Sequence, residues 1–161
     1  MAPLKRPVLR FSQAVYASGL KPKSLRNWLD RGIVTPFSDR EEGWHEFSHA
    51  DIAMLALLAE ITGAGVAVSV ASGIARAVVE DTGLVTGSHV EWPANALVGI
   101  FTNKLLLIWV EGEEARYTLI SEADFFKKPH SARTALFVLR PAFIVNNAFL
   151  SIEDEDTWTD D

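Results

Sequence analysis

Residues 20–32 read LKPKSLRNWLDRG, from Leu20 to Gly32, and the chemistry of this short stretch organises what lies on either side of it. Pro22 suits the first turn of a helix, where its missing N–H costs nothing and its φ is already helical. Leu25, Trp28 and Leu29 then fall at i, i+3 and i+4 on one inward face. Ser24, Arg26, Asn27 and Arg31 are left to point outward, and Gly32 closes the helix as a residue that tolerates positive φ. Upstream, residues 11–17 (FSQAVYA) carry a short helix pattern, and Ser18-Gly19-Leu20 form a tight turn. Two short helices across a Gly-containing turn, the second studded with Lys, Arg, Ser and Asn, predict a helix-turn-helix whose second helix reads DNA.

Downstream, Ile33-Val34 run into Thr35-Pro36, then a polar loop over residues 38–43, then Trp44-His45-Glu46-Phe47, the pattern of a hairpin-like wing. Ser48 and Asp51 are spaced as a capping box ahead of the apolar run 52–61. This order resembles the MerR family of winged helix-turn-helix regulators over roughly the first half of the chain. Ser24-Leu25-Arg26-Asn27-Trp28 stands where the family has Thr-Leu-Arg-Tyr-Tyr, and Gly32-Ile33-Val34-Thr35-Pro36 where it has Gly-Leu-Leu-x-Pro. Gly43-Trp44-His45-Glu46-Phe47-Ser48, with Asp51-Ile52, matches Gly-Tyr-Arg-x-Tyr and the helix start behind it. The resemblance implies a bacterial or phage-type transcription regulator that binds double-stranded DNA. It also implies distortion of promoter DNA between the polymerase-contact elements, which makes RNA polymerase a partner. The chain departs from the family at His45, which replaces an arginine, and after residue 82, where no long dimerising heptad helix follows.

Within the reader, Lys23, Ser24, Arg26 and Asn27 are expected near base edges or phosphates. Arginine matches guanine and asparagine matches adenine in bidentate fashion, so Arg26 and Asn27 are the candidates for sequence reading. Lys21 and Arg31 suit phosphate contacts, which position without specifying. In the wing, Arg40, Trp44 and His45 complete the candidate surface, with Trp44 packed under the hairpin while Arg40 and His45 face the backbone. Arg26 has a second reading, as a scaffold partner of Asp30 at i, i+4. Trp28 reads as core.

Charge is distributed in the way such a reader needs. The 161-residue chain has a net charge of -6, yet residues 1–40 hold eight Lys/Arg against two Asp, giving +6. The other seven Lys/Arg face 19 acids, giving -12. A local cationic face is what counterion release at phosphates requires, and an acidic remainder opposes unspecific spreading. Cysteine is absent, so disulfides and thiolate metal ligands are excluded. No apolar run reaches the roughly 18 residues of a membrane span, and no signal-peptide pattern opens the chain, so a cytoplasmic location is expected.

The expected fold class is α+β: a winged helix-turn-helix with two further helices over residues 1–82, a β-rich dimerisation or effector domain over 84–152, and an acidic tail over 153–161. The apolar helix at 48–61 should be sandwiched between the reader and another layer, and a small-residue helix at 66–80 packs closely. In the second unit, residues 97–102 and 105–110 predict a hairpin across Asn103-Lys104, with a third strand at 115–120. A helix capped by Ser121 and Asp124 follows, then strands at 134–139 and 142–145. The aromatic set Trp92, Phe101, Trp109, Tyr117, Phe125 and Phe126 forms a core or oligomer interface, or alternatively lines an effector pocket.

No catalytic inventory emerges. His45, His49, His89 and His130 are scattered without metal-ligand spacing, Glu113-Glu114 and 153–156 read as solvated acids, and phosphate-binding glycine motifs are missing. Neither an enzyme nor a cofactor or metal is expected. A reader of this size contacts few base pairs, so a homodimer on an inverted repeat is expected, held by the C-terminal unit. Two rival functions remain: an excision or architectural factor that bends DNA, and a protein-interaction adaptor built on the same fold.

Overall fold

A computed structural model describes residues 9–38, 46–83, 95–127 and 136–153. Strand β1 (Leu9–Arg10) passes directly into helix α1 (Phe11–Ser18), whose start is fixed by the Arg10 N–H donating to Gln13 Oε1 at 2.8 Å. Gly19 ends α1 at φ 73°, its N–H bonded to the Val15 carbonyl at 3.0 Å. That left-handed residue turns the chain into helix α2 (Pro22–Asp30), with Lys21 at the N-cap and Pro22 in the first turn. Leu25 and Leu29 are buried and Trp28 packs half-buried beside them, as the spacing predicts. Gly32, at φ +68°, reverses the chain after α2, and the Ile33 and Val34 N–H groups both bond the Trp28 carbonyl.

The chain returns through strand β2 (Glu46–Phe47), which pairs antiparallel with β1, Leu9 opposite Phe47. Helix α3 (His49–Gly63) then begins in the capping box read from the sequence. The Asp51 carboxylate accepts the Ser48 N–H and O–H on Oδ2, both at 2.8 Å, while Ser48 Oγ accepts the Asp51 N–H at 3.2 Å. Its other oxygen, Oδ1, accepts the Phe37 N–H at 2.5 Å. Asp51 is fully buried, so this one carboxylate joins the segment entering the wing to the segment leaving it.

Every residue from Ala50 to Leu58 is buried, because α3 is apolar on almost all sides and is enclosed on them. Helix α1 covers one side, helix α4 (Val68–Glu80) a second, and helix α7 (Pro141–Glu153) a third. Ala71, Ser72 and Ala75 lie in the buried face of α4, where small side chains let the two axes approach.

Between α4 and α7 run helix α5 (Asn95–Phe101), strands β3 (Lys104–Glu111) and β4 (Glu114–Ser121), helix α6 (Glu122–Lys127) and strand β5 (Leu136–Leu139). The sheet order is β4-β3-β5, antiparallel throughout. Leu106, Ile108, Tyr117, Leu119, Phe137 and Leu139 line its inner face against the common core. Tyr117 O–H also donates to Asp81 Oδ2 at 3.4 Å, tying the sheet to the end of α4. Burial, and after it the Asp81 charge and this hydrogen bond, raise the phenol above its ordinary value and keep it a donor.

Two expected strands are helices. Residues 97–101 belong to α5, where Leu97 and Phe101 are buried at i and i+4, and Thr102, just past its end, donates from Oγ1 to the Val98 carbonyl. Residues 142–145 open α7, whose buried Val145, Ala148, Phe149 and Ile152 keep helical spacing over a longer window than four residues. The hairpin also moves: β3 pairs with β4 across Gly112, at φ +66°, and Glu113. Asn103, at φ 57°, ends α5 instead. The third strand and the helix capped by Ser121 stand where expected, with the Asp124 N–H bonded to Ser121 Oγ at 3.1 Å.

Removing the Asp51 carboxylate leaves three donors at the root of the wing without their acceptor. Asp51→Ala is expected to cost about 3 kcal/mol or more in urea unfolding, and Asp51→Asn, which keeps one acceptor oxygen, roughly half as much. An unchanged midpoint for the alanine variant would remove this carboxylate from the role assigned to it.

Candidate nucleic-acid interface

The inner face of α2 is anchored by Leu25 and Leu29, which leaves its outer face rigidly presented. Lys23, Arg26 and Asn27 are exposed along the helix, with Lys21 exposed at its N-cap and Arg31 at its C-cap. At 100° per residue, Lys23, Asn27 and Asp30 lie opposite Leu25, with Arg26 on one flank. Ser24 is half-buried, on the margin between the outer surface and the core, rather than fully outward. Asp30 is exposed on the same face, and its i+3 spacing from Asn27 was the available signal for including it.

Arg26 has a ring beneath it. Its guanidinium carbon lies 4.9 Å from the centroid of Phe11, and the Phe11 ring stands 6.2 Å from that of Phe47. Arg26 is thus directed towards the junction of α1 with the wing's return strand. That contact orients a long side chain before any ligand arrives.

The wing's root is held from two sides. Phe37 is tied to Asp51 on α3, and Ser38 Oγ donates to the Glu46 carbonyl at 3.1 Å, closing the base of the loop. From α4, Arg76 Nη1 donates to the Thr35 carbonyl at 2.5 Å, its guanidinium lies 4.2 Å over the Phe37 ring, and its Nε pairs with Glu80 at 3.2 Å. Arg76 is a residue that pattern reading missed. Its one signal was being the lone basic side chain in the otherwise neutral stretch 68–79. Arg40, Trp44 and His45 lie outside the described residues.

Four cations against Asp30, beside an amide, on one anchored helix, make a surface suited to an anionic, edge-presenting ligand. Among the described residues no cluster of three His, Asp or Glu could hold a metal ion, and no helix is long and apolar enough to cross a membrane. A double-mutant cycle of Phe11→Leu and Arg26→Ala should give a coupling of about 0.5–1 kcal/mol in unfolding free energy. Strict additivity would mean that the ring does not hold the guanidinium.

No curated protein is found to match the chain. The family model described as MerR HTH family regulatory protein matches residues 9–78, the stretch from β1 through most of α4. Residues 9–78 therefore form a MerR-family helix-turn-helix domain, at family level the module of a DNA-binding transcription regulator.

Proposed function

We propose that the protein is a sequence-specific transcription regulator that binds an inverted repeat as a homodimer, with α2 in the major groove of each half-site. The observation that carries this reading is the outer face of α2, where Lys23, Arg26 and Asn27 are exposed on a helix whose opposite face is locked into the core. Arg26 and Asn27 read base edges, since each offers a bidentate pattern that one base completes. Lys21 and Arg31, at the two ends of the helix, set its register through phosphates, and Lys23 adds to that grip. Arg40 and His45, outside the described residues, complete the reading as contacts to the flanking backbone or minor groove, with Trp44 as the apolar support beneath them. RNA polymerase is the partner that distorted promoter DNA would serve.

Selection from a random duplex library with the full-length protein should enrich an inverted repeat whose half-sites lie about one helical turn apart. Arg26→Ala and Asn27→Ala should each erase about 1–3 kcal/mol of discrimination at one base pair per half-site while leaving the thermal midpoint in place. Lys21→Ala and Arg31→Ala should instead weaken all duplexes alike and lower the salt slope by about one per half-site, about two for the dimer on an inverted repeat. Salt-dependent binding with no enriched sequence would reassign the protein to an architectural role, and a failure to bind any duplex would sink the DNA reading.

A further inference from the structure

Helix α7 has an outer face with unusual chemistry for a solvated helix. From Ala142 to Ile152 it contains no charged residue. Val145, Ala148, Phe149 and Ile152 fill its buried face, packed towards α1, α3 and α5. On the opposite side, Phe143, Asn146, Asn147 and Leu150 repeat the i, i+3, i+4, i+7 spacing and are all exposed, Phe143 by 66% and Leu150 by 50%. A helix face that ends in water ordinarily carries charge. Beside Phe143 an open concavity of about 370 Å³ is lined by Leu105, Phe126, Val138 and Ile144, with Phe126 exposed by 76%.

We infer that this face of α7, with the adjoining concavity, is where a second copy of the chain docks across a two-fold axis. The inference rests on the dimeric reading above and supplies its interface. A two-fold contact must be self-complementary. With the axis between Asn146 and Asn147, Phe143 of one copy meets Leu150 of the other, because both lie three and a half residues from the axis. The amides meet amides, and each carries donors and an acceptor, so the pair leaves no orphaned group. A polar asparagine inside a helix pairing also fixes register.

Charge on this face favours no strongly charged partner and does not oppose a second copy. The chain carries -6 overall, yet the charged side chains lining the concavity and on α6 beside it are Glu60, Glu122, Asp124, Lys127 and Arg140, a net of -1, with Arg140 paired to Glu122. An acidic molecule can therefore approach itself here with little net repulsion. Phenylalanine carries roughly 150–250 Å² of surface. Phe126 and Phe143 thus expose on the order of 250 Å², about a third of the roughly 800 Å² per partner that a stable interface buries. The flanks of α7 and the outer edge of β5, which pairs only with β3 among the described strands, adjoin them.

Sedimentation of the full chain over micromolar concentrations, with an isolated half-site and an inverted-repeat duplex as probes, tests this. The wild type should be a dimer. Phe143→Glu should raise the dimer dissociation constant by roughly 30-fold or more, the scale of a hot-spot side chain. Asn147→Asp, nearly isosteric, should raise it about tenfold by placing like charges at the axis. Both variants should keep the wild-type circular dichroism spectrum and half-site affinity while losing the tighter grip on the inverted repeat, with a thermal midpoint lowered only as far as the lost association requires. Should the glutamate variant misfold, the aspartate variant decides alone. A dimer untouched by the substitutions overturns this interface and leaves the dimeric regulator standing. A wild type that stays monomeric both free and on the inverted repeat overturns both. A dimer that the variants split, but that prefers no sequence, upholds the interface and overturns the regulator.

Discussion

The buried carboxylate of Asp51 accepts from three donors that belong to two separate stretches of backbone, Phe37 before the wing and Ser48 after it. A carboxylate removed from water must recover its solvation from fixed donors, and such charge-assisted bonds are stronger than neutral ones. Because Asp51 sits in the first turn of α3, the bonds that satisfy it also start that helix. Loop closure, helix initiation and attachment of the wing to the core thus share one side chain. Nothing about the outer face of α2 could be held in a fixed relation to the wing if the chain between them were free to pivot at this root.

The apolar layers explain why that root is firm. α3 is enclosed by α1, α4 and α7, so the helix that carries Asp51 cannot shift without opening the common core. The same enclosure joins the halves of the chain. Val145, Ala148, Phe149 and Ile152 of α7 belong to the same buried cluster as Leu9, Leu25 and Phe47. The inner face of the sheet joins that cluster through Leu106 and Ile108.

Legibility in the sequence followed the range of the interactions. The turn at Gly19, the start of α2 at Pro22 and the Ser48/Asp51 capping box depend on partners within four residues, and each is visible as a spacing. The helical nature of residues 97–101 and 142–145 was not visible. A run of four to six apolar residues satisfies strand and helix periods alike, and only the register of Leu97 with Phe101, or of Val145 with Phe149, separates them. In the candidate site, the exposed cations of α2 could be anticipated from its wheel. The Arg76–Thr35 bond could not, since it spans 41 residues and ends on a carbonyl that any amino acid would supply.

Arg76 belongs to α4, two helices beyond α2; it touches the wing's root in two ways, through a carbonyl and the Phe37 ring, and is held on its own helix by Glu80. Such a junction couples the evolutionary histories of positions far apart in the chain. The carbonyl leaves residue 35 free to drift, while the ring and the carboxylate do not. Arg76, Phe37 and Glu80 should therefore be inherited or replaced as a set, and a descendant that lost one would be expected to rebuild the other two.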